Sequence, residues 1–563
     1  MSLRAILAGC VAVMLVGLVG TALAAETPTQ TTLTGTVKAV GQPVADGPVA
    51  ILEVPTKTAA AGTPVLTVSG SDGLQDLFNM HMSGKARIAP GTRIVLARGS
   101  WHQFDPSGAD RGRPHRNVYV EDLRGEPDSP IVIEGDGFRP GEPSTYLDIG
   151  NGGLLLGMEC DHVWVRGLRT SRNAVFRSAI YPGRRMAGPN EIFCWGSFIA
   201  IYGKHITVSD LVLDEGATSE SGRWAPLIGV DLSAEDYRIE RVEGARYRSI
   251  PISIKVADKP ALPAFPRSAP VRGFIKNVWL REGYPGGSVG NTGIDVQVGQ
   301  GASDLALSCE LLVEDCGVVD SGGFGYESKA TGVTFRRVYV IGSGQGPCYC
   351  RAGRDNVCDR CASIASYAGL ETFGQKTTYQ DCYVAAPFCP AIRLYRAAPA
   401  HGPALDCKFV RVVCVKTDFD MVESGYRGPV IEWNSGWQEP TGVETGGHEF
   451  VDCDFVSLGA SAILGARGPL SLFPNGSTFT DCTAWNPTGE NWGLGRLPGV
   501  VWKDPGFKWE GATPGRPLPL DLRADDVHPG VELPVQGWKP AWWGSRQTRV
   551  VLPHIVLERL RSY

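Results

Sequence analysis

The sequence predicts an all-β chain: a single-stranded, right-handed parallel β-helix, a solenoid of about ten or more coils closed at its N-terminal end by a short helix. Three observations lead there. A short strand phrase recurs along the chain, a second strand precedes most copies, and no long helical pattern separates the two. The 71 Gly and 40 Pro residues follow no short period, which indicates many turns rather than collagen or disorder.

The recurring phrase is a β-branched or aromatic residue, any residue, a polar residue, then Cys, Val or Leu. It stands at Val208–Leu211, Ile239–Val242, Ile275–Val278, Val313–Cys316, Phe335–Val338, Tyr379–Cys382, Phe409–Val412, Phe450–Cys453 and Phe479–Cys482, with a weaker copy at Val165–Leu168. Copies lie 22 to 44 residues apart. A repeat of this type needs on the order of twenty residues, so the short spacings are bare coils and the long ones carry loop insertions. The preceding strands are Phe198–Tyr202, Leu227–Leu232, Ile252–Val256, Ile294–Val298, Phe324–Lys329, Leu370–Phe373, Ile392–Tyr395 and Val430–Asn434. In the third, Ile252, Ile254 and Val256 alternate with Ser253 and Lys255, the period of two that a half-buried strand requires.

Residues 70–490 are assigned to the solenoid. Ser71-Asp72 can cap a short helix bearing Leu74, Leu77 and Phe78, which covers the open apolar end, and Pro90–Trp101 follows as a first strand. Residues 26–69 form an N-terminal extension. Residues 491–563, where the repeat stops, form a tail that packs on the solenoid or closes its far end.

The first 25 residues read as a signal peptide: Arg4, an apolar run from Ala5 to Val19, then Ala22-Leu23-Ala24. This predicts a secreted or periplasmic protein. No later stretch is apolar for the roughly 18 residues of a membrane span. With Arg4 set aside, 53 basic residues face 59 acidic ones, a balance that argues against nucleic acid as a partner. The expected state is a monomer. Fourteen cysteines remain beyond Cys10, an even number that suits disulfides in an oxidising compartment.

Pro90–Trp101 and Ser129–Gly135 are similar to the opening coils of the pectate lyase-like superfamily, and most of all to the alginate lyases and chondroitinase B of polysaccharide lyase family six. The resemblance covers roughly residues 70 to 490, and it implies that outward side chains of the first strand in each coil line a groove for an acidic polysaccharide. Adjacent coils lie ~4.8 Å apart. The outward positions then read Asp231, Lys255, Asp295 with Gln297, Glu327 with Lys329, Glu371 with Phe373, Arg393 with Tyr395, and Glu432 with Asn434. Tyr202, Phe373 and Tyr395 could stack on sugar rings, and Arg396 and His401 lie just beyond.

The resemblance implies β-elimination from a uronate. A base removes the proton beside the carboxylate, and a cation stabilises the enolate. Lys329, in Tyr326-Glu327-Ser328-Lys329-Ala330, is similar to the family phrase in which Ser-Lys precedes the next strand, and is the leading base; Lys255 is the second. Arg393, read as two coils on, is the leading partner for the carboxylate or the leaving oxygen, although the family places an Arg-His-Gly about one coil after its Lys. Asp295, Glu327 and Glu371, read as three successive coils of one column, could hold Ca²⁺. They could equally serve an inverting hydrolase, since two coils span ~9.6 Å. An epimerase and a non-catalytic carbohydrate-binding or exopolysaccharide matrix protein stay open on the same scaffold.

Asp210, Asp315, Asp381, Asp452 and Asp481 read as turn residues, and Cys316, Cys382, Cys453 and Cys482 as interior packing. Cys348, Cys350, Cys358 and Cys361 read as a loop cluster, two disulfides being preferred to a four-thiolate zinc site.

Overall fold

The computed structural model describes residues between 64 and 502; residues 1–63 and 503–563, with the signal-peptide assignment and most of the C-terminal tail, lie outside the described residues, as do several loops including 102–117, 257–271, 396–403 and 435–444. The described strands stack coil on coil in parallel ladders. An eight-stranded parallel sheet contains Val118–Val120, Leu154–Leu156, Ile199–Ile201, Pro226–Val230, Ile250–Val256, Ile294–Val298, Phe324–Ser328 and Gly346–Cys348. A four-stranded sheet, Leu370–Thr372, Ile392–Tyr395, Ile431–Asn434 and Leu464–Arg467, continues the same side of the later coils. The recurring phrases build a 21-stranded sheet around the rest of the coil. This is the expected parallel β-helix.

Each phrase turns at its polar residue. Asp210, Arg241, Asn277, Asp315, Arg337, Arg360, Asp381, Arg411, Asp452 and Asp481 all have φ between 49° and 54°, a left-handed conformation that Asp and Asn tolerate better than most side chains. Because the turns stack in register, their charges meet. Arg241 Nη2 lies 2.8 Å from Asp210 Oδ2, and Arg411 Nε lies 2.6 Å from Asp381 Oδ1. The cysteine that follows such a turn points inward and satisfies carbonyls that the bend takes out of the ladder. Cys382 Sγ lies 3.4 Å from the Gln380 carbonyl and 3.3 Å from that of Cys358 on the coil before, and Cys453 repeats the pattern on Val451 and Phe409. These interior cysteines are fully buried, as expected.

The helix spans Gly70–Met82 and buries Leu74 and Phe78 against the first coils. Two details differ from the sequence reading. The N-cap is Ser69, with no side-chain capping bond, so Ser71 and Asp72 fall inside the first turn. The ladder also begins earlier and ends later than expected: Val65–Ser69 pairs with Arg93–Ala97, and Val500–Trp502 pairs with Cys482–Ala484.

The larger correction concerns the cysteine cluster. Gly346–Cys348 and Val357–Asp359 are strands of a complete coil, paired to Phe324–Glu327 on one side of the solenoid and to Thr334–Arg336 on another. The 44-residue gap between Phe335 and Tyr379 therefore holds one more repeat, Cys358-Asp359-Arg360-Cys361, in which cysteine fills the position that elsewhere carries a β-branched or aromatic residue. Cysteine packs as a small apolar side chain, so it serves there. Cys350, Cys358 and Cys361 belong to the core, with Cys350 Sγ 3.7 Å from Cys358 Sγ, and no disulfide joins the twelve cysteines whose side chains are described. Neither a loop clamp nor a gathered four-sulfur site is present among the described residues.

Candidate active site

The candidate residues sit where parallel register places them. In the eight-stranded sheet Ser253 pairs with Asp295, Asp295 with Glu327, and Glu327 with Cys348. The neighbours Ile252, Ile254, Ile294, Val296 and Tyr326 fill the core, so Ser253, Asp295 and Glu327 point to the outer face. A second outer column runs beside it. Lys255 pairs with Gln297; Asp231 stands one residue past Val230, which pairs with Ile254; and Lys329 stands one residue past Ser328, which pairs with Val296. The ladder extends to both: the Asp231 amide donates to the Ile201 carbonyl and the Lys329 amide to that of Val296, at 2.9 and 3.0 Å.

Asp295 and Glu327 are fully buried despite facing outward. Lys329 reaches across to Glu327, its Nζ 3.2 Å from Glu327 Oε1, with 10 % of its side chain exposed. An ion pair thus sits beside a third buried acid in register on the adjacent coil, and Lys329 keeps contact with solvent. Removing charges from water is costly unless they are paired, so this cluster is an expensive arrangement for a fold to carry without a use.

The remaining acids and Arg393 lie elsewhere. The added coil of Gly346–Cys348 separates Glu327 from Glu371, which stands in the four-stranded sheet. Glu371 is therefore two coils beyond Glu327, and Arg393 is three coils beyond Lys329, ~14 Å by strand spacing. The reading of Asp295, Glu327 and Glu371 as three successive coils fails for this reason, and the pair Asp295 and Glu371, also three coils apart, exceeds the spacing an inverting hydrolase uses. Arg393 pairs in register with Glu371 before it and Glu432 after it; its Nη1 lies 3.5 Å from Glu371 Oε2 and its Nε 3.6 Å from Glu432 Oε2, all three buried. Its guanidinium also lies over the Tyr367 ring, 5.9 Å from the centroid.

Tyr202 does not line a groove. It faces outward but is 1 % exposed, packed with Leu155, Ala200, Tyr119 and Met158 in a small apolar cluster apart from the core. Asp231 is nearly buried. Lys255, Gln297 and Tyr395 have described strand positions only, and Phe373, Arg396 and His401 lie outside the described residues.

Sequence reasoning missed one constellation. Asp161, His162 and His205 offer ligand atoms within 4.8 Å of one another, and no other group of three or more His, Cys, Asp or Glu does so among the described residues. Its signal was present: His162 and His205 each stand three residues before a strand phrase, at Val165 and Val208.

No protein-family model matches the chain, and no curated protein matches it. Solved structures do. A mannuronic acid specific polysaccharide family 6 lyase from human gut microbiota is 16 % identical, with 78 % of this chain and 92 % of that one covered and a TM-score of 0.49. The family 6 alginate lyase AlyGC is 14 % identical with a TM-score of 0.54; the match covers 78 % of this chain and 53 % of that one, so this chain spans about half of that lyase's length. The family 6 polysaccharide lyase Pedsa3628 from Pseudopedobacter saltans is 10 % identical, with 76 % and 94 % covered and a TM-score of 0.44. The chain is thus a parallel β-helix of the architecture that the alginate lyase AlyGC shares.

Proposed function

We propose that this protein is a polysaccharide lyase that cleaves an acidic, uronate-containing polymer by β-elimination, outside the cytoplasm. The observation that carries the reading is the buried Asp295–Glu327 pair with Lys329 reaching it from the solvent side. Lys329 is the base. Glu327, 3.2 Å away, is the group within reach to take the ammonium proton and leave an amine for the substrate. The amine then removes the proton beside the uronate carboxylate, the bond to the leaving oxygen breaks as the double bond forms, and that oxygen takes a proton from the resulting Lys329 ammonium or from water. Lys255 and Gln297 stand in register two coils and one coil before Lys329, and are our candidates to bind the polymer's carboxylates and hydroxyls. Arg393, three coils on and buried between Glu371 and Glu432, is assigned to holding those coils together and not to the chemistry.

Ca²⁺, if bound, would replace the Lys329–Glu327 proton transfer, because a Glu327 that holds the cation cannot also take the ammonium proton. Two carboxylates in register on adjacent coils suit a hard cation, Glu371 cannot join them, and the residues that would hold it are Asp295 and Glu327. Bound there, it would add positive charge to oppose the substrate carboxylate.

The test is incubation of the purified protein with alginate, pectate, chondroitin and bacterial exopolysaccharides, with and without a chelator. Unsaturated uronate ends, seen by ultraviolet absorbance and lost in Lys329→Ala, support the proposal. New reducing ends without unsaturation would make the protein a hydrolase, and binding with no cleavage of any polymer would make it a carbohydrate-binding scaffold.

A further inference from the structure

Away from the groove floor, one turn stacks on itself through most of the solenoid. It falls at His162, His205 and Asp236, then at Asp355, Lys376 and Asp406 in later coils, all with φ between 49° and 55°. Register confirms the stack: Trp164 pairs with Thr207, and Thr207 with Arg238, so each turn residue lies over the next. Most positions carry the Asp or Gly expected of a left-handed turn. Two successive coils instead carry histidine.

The two imidazoles stack, centroids 4.2 Å apart at 20°, and both turn Nδ1 toward the same atom. Asp161 Oδ1 lies 2.7 Å from His162 Nδ1 and 2.7 Å from His205 Nδ1. On its other side, His205 Nε2 lies 3.4 Å from Asp236 Oδ2, and Asp236 is itself held by Arg272 through Nε and Nη2 at 2.5 and 2.6 Å. His205 therefore has a carboxylate at each ring nitrogen. In the tautomer whose Nε2–H points at Asp236, Nδ1 turns a lone pair toward Asp161 Oδ1, and a cation between the two would satisfy both.

We infer that Asp161, His162 and His205 form a binding site for a divalent transition-metal ion of the zinc type, clasping two successive coils of the solenoid. Two imidazole nitrogens and one carboxylate oxygen are ligands such an ion takes, at about 2.0–2.2 Å each. Opening the present 2.7 Å separations to ~3.3 Å around an ion takes rotation of rings that are already 20 % and 41 % exposed. Asp236 supplies what a ligating histidine ordinarily has behind it, a carboxylate that fixes its tautomer and orientation. A fourth position stays open to water. The site is independent of the lyase reading, since it lies in the turns that follow Leu154–Leu156 and Ile199–Ile201, at the coils before the charged cluster.

The experiment uses the full chain, stripped with a chelator, dialysed and titrated with Zn²⁺ by calorimetry. One equivalent should bind, with a rise in Tm. His162→Asn combined with His205→Asn should abolish that binding while leaving the metal-free Tm and the circular dichroism spectrum in place, because Asn tolerates the same turn conformation. Asp236→Asn should weaken it by about 10- to 100-fold as the carboxylate behind His205 is lost. Co²⁺ substitution should give a spectrum without thiolate charge-transfer bands. Absence of stoichiometric binding, binding that survives the double substitution, or a thiolate band that moves the metal to the buried cysteines would each overturn the inference.

Discussion

Arg393 is held between Glu371 and Glu432, one acid from the coil before it and one from the coil after, in a stack of three buried charges. An arginine between two acids leaves one negative charge in excess, and removing it leaves two. Arg393→Ala should therefore unfold readily, at a cost of roughly 3–5 kcal/mol. Arg393→Met, which keeps the stem but not the charge, should be nearly as damaging, whereas Glu371→Gln in the wild-type background should be close to neutral. Denaturant midpoints for the three variants decide this. Equal stability of Arg393→Ala and wild type would mean the triad carries no structural load and would free the arginine for a direct role with substrate.

Lys329 behaves differently because its end reaches solvent. Lys329→Ala should lower turnover of the responsive polymer by at least about a hundredfold. The Tm should fall as well, because Glu327 stays buried without its cation, so turnover is compared at a temperature where both proteins are folded. Glu327→Gln, which keeps shape and removes the proton acceptor, should lower turnover and move its pH dependence, since the ammonium would then lose its proton only to solvent. A pH–rate profile for Glu327→Gln that overlays the wild type would rule out the relay and leave Glu327 as a structural partner only.

These two residues also show what the sequence could and could not reveal. Lys329 and Glu327 were legible because alternation within one strand depends only on local parity, and the strand Phe324–Ser328 was read at nearly its true bounds. The distance from Lys329 to Arg393 was not, because it depends on counting every coil between them. Cys358 concealed one coil by standing where a β-branched or aromatic residue stands elsewhere, and a single missed coil shifts every later residue by one strand spacing. The Asp161–His162–His205 group was hidden for a related reason: residues 43 apart in sequence become neighbours only once coil length is known. Turn positions were read more securely, since Asp at a left-handed bend has a local cause.

The interior of the later coils depends on an aromatic stack. Tyr379, Phe409, Phe450 and Phe479 occupy one register position on four coils, with successive ring centroids 4.9, 4.7 and 4.5 Å apart and planes within 9° of parallel. Phe450 is in the middle of the run and also meets Phe455 and Trp433. Phe450→Ala should cost roughly 3–5 kcal/mol, by lost transfer energy and the cavity left between two rings, and Phe450→Leu should recover much of it. Phe479→Ala, with a ring on one side only in this stack, should cost less. Chemical denaturation of the three variants checks the order, and an equal loss for Phe450→Ala and Phe479→Ala would show that the rings contribute singly and not as a stack.

Acid should weaken the fold through His448. The side chain is fully buried, its Nδ1 accepts the Cys407 amide at 3.3 Å, and Nε2 is therefore the protonated nitrogen that donates to Thr445 Oγ1 at 2.9 Å. Burial pushes its pKa down from 6.5 to about 3. In the unfolded chain the same histidine protonates near its ordinary value. The unfolded state thus binds one more proton between pH 6.5 and 3. Stability falls through that window by about 1.4 kcal/mol per pH unit from this residue alone. His448→Gln, whose amide oxygen can accept from the Cys407 amide and whose NH₂ can donate to Thr445, should be less stable at pH 7.5 but should lose less on going to pH 4.5. Unfolding midpoints for both proteins at the two pH values give the difference directly; parallel losses would mean that His448 is protonated in the native protein over this range and that acid sensitivity has another source.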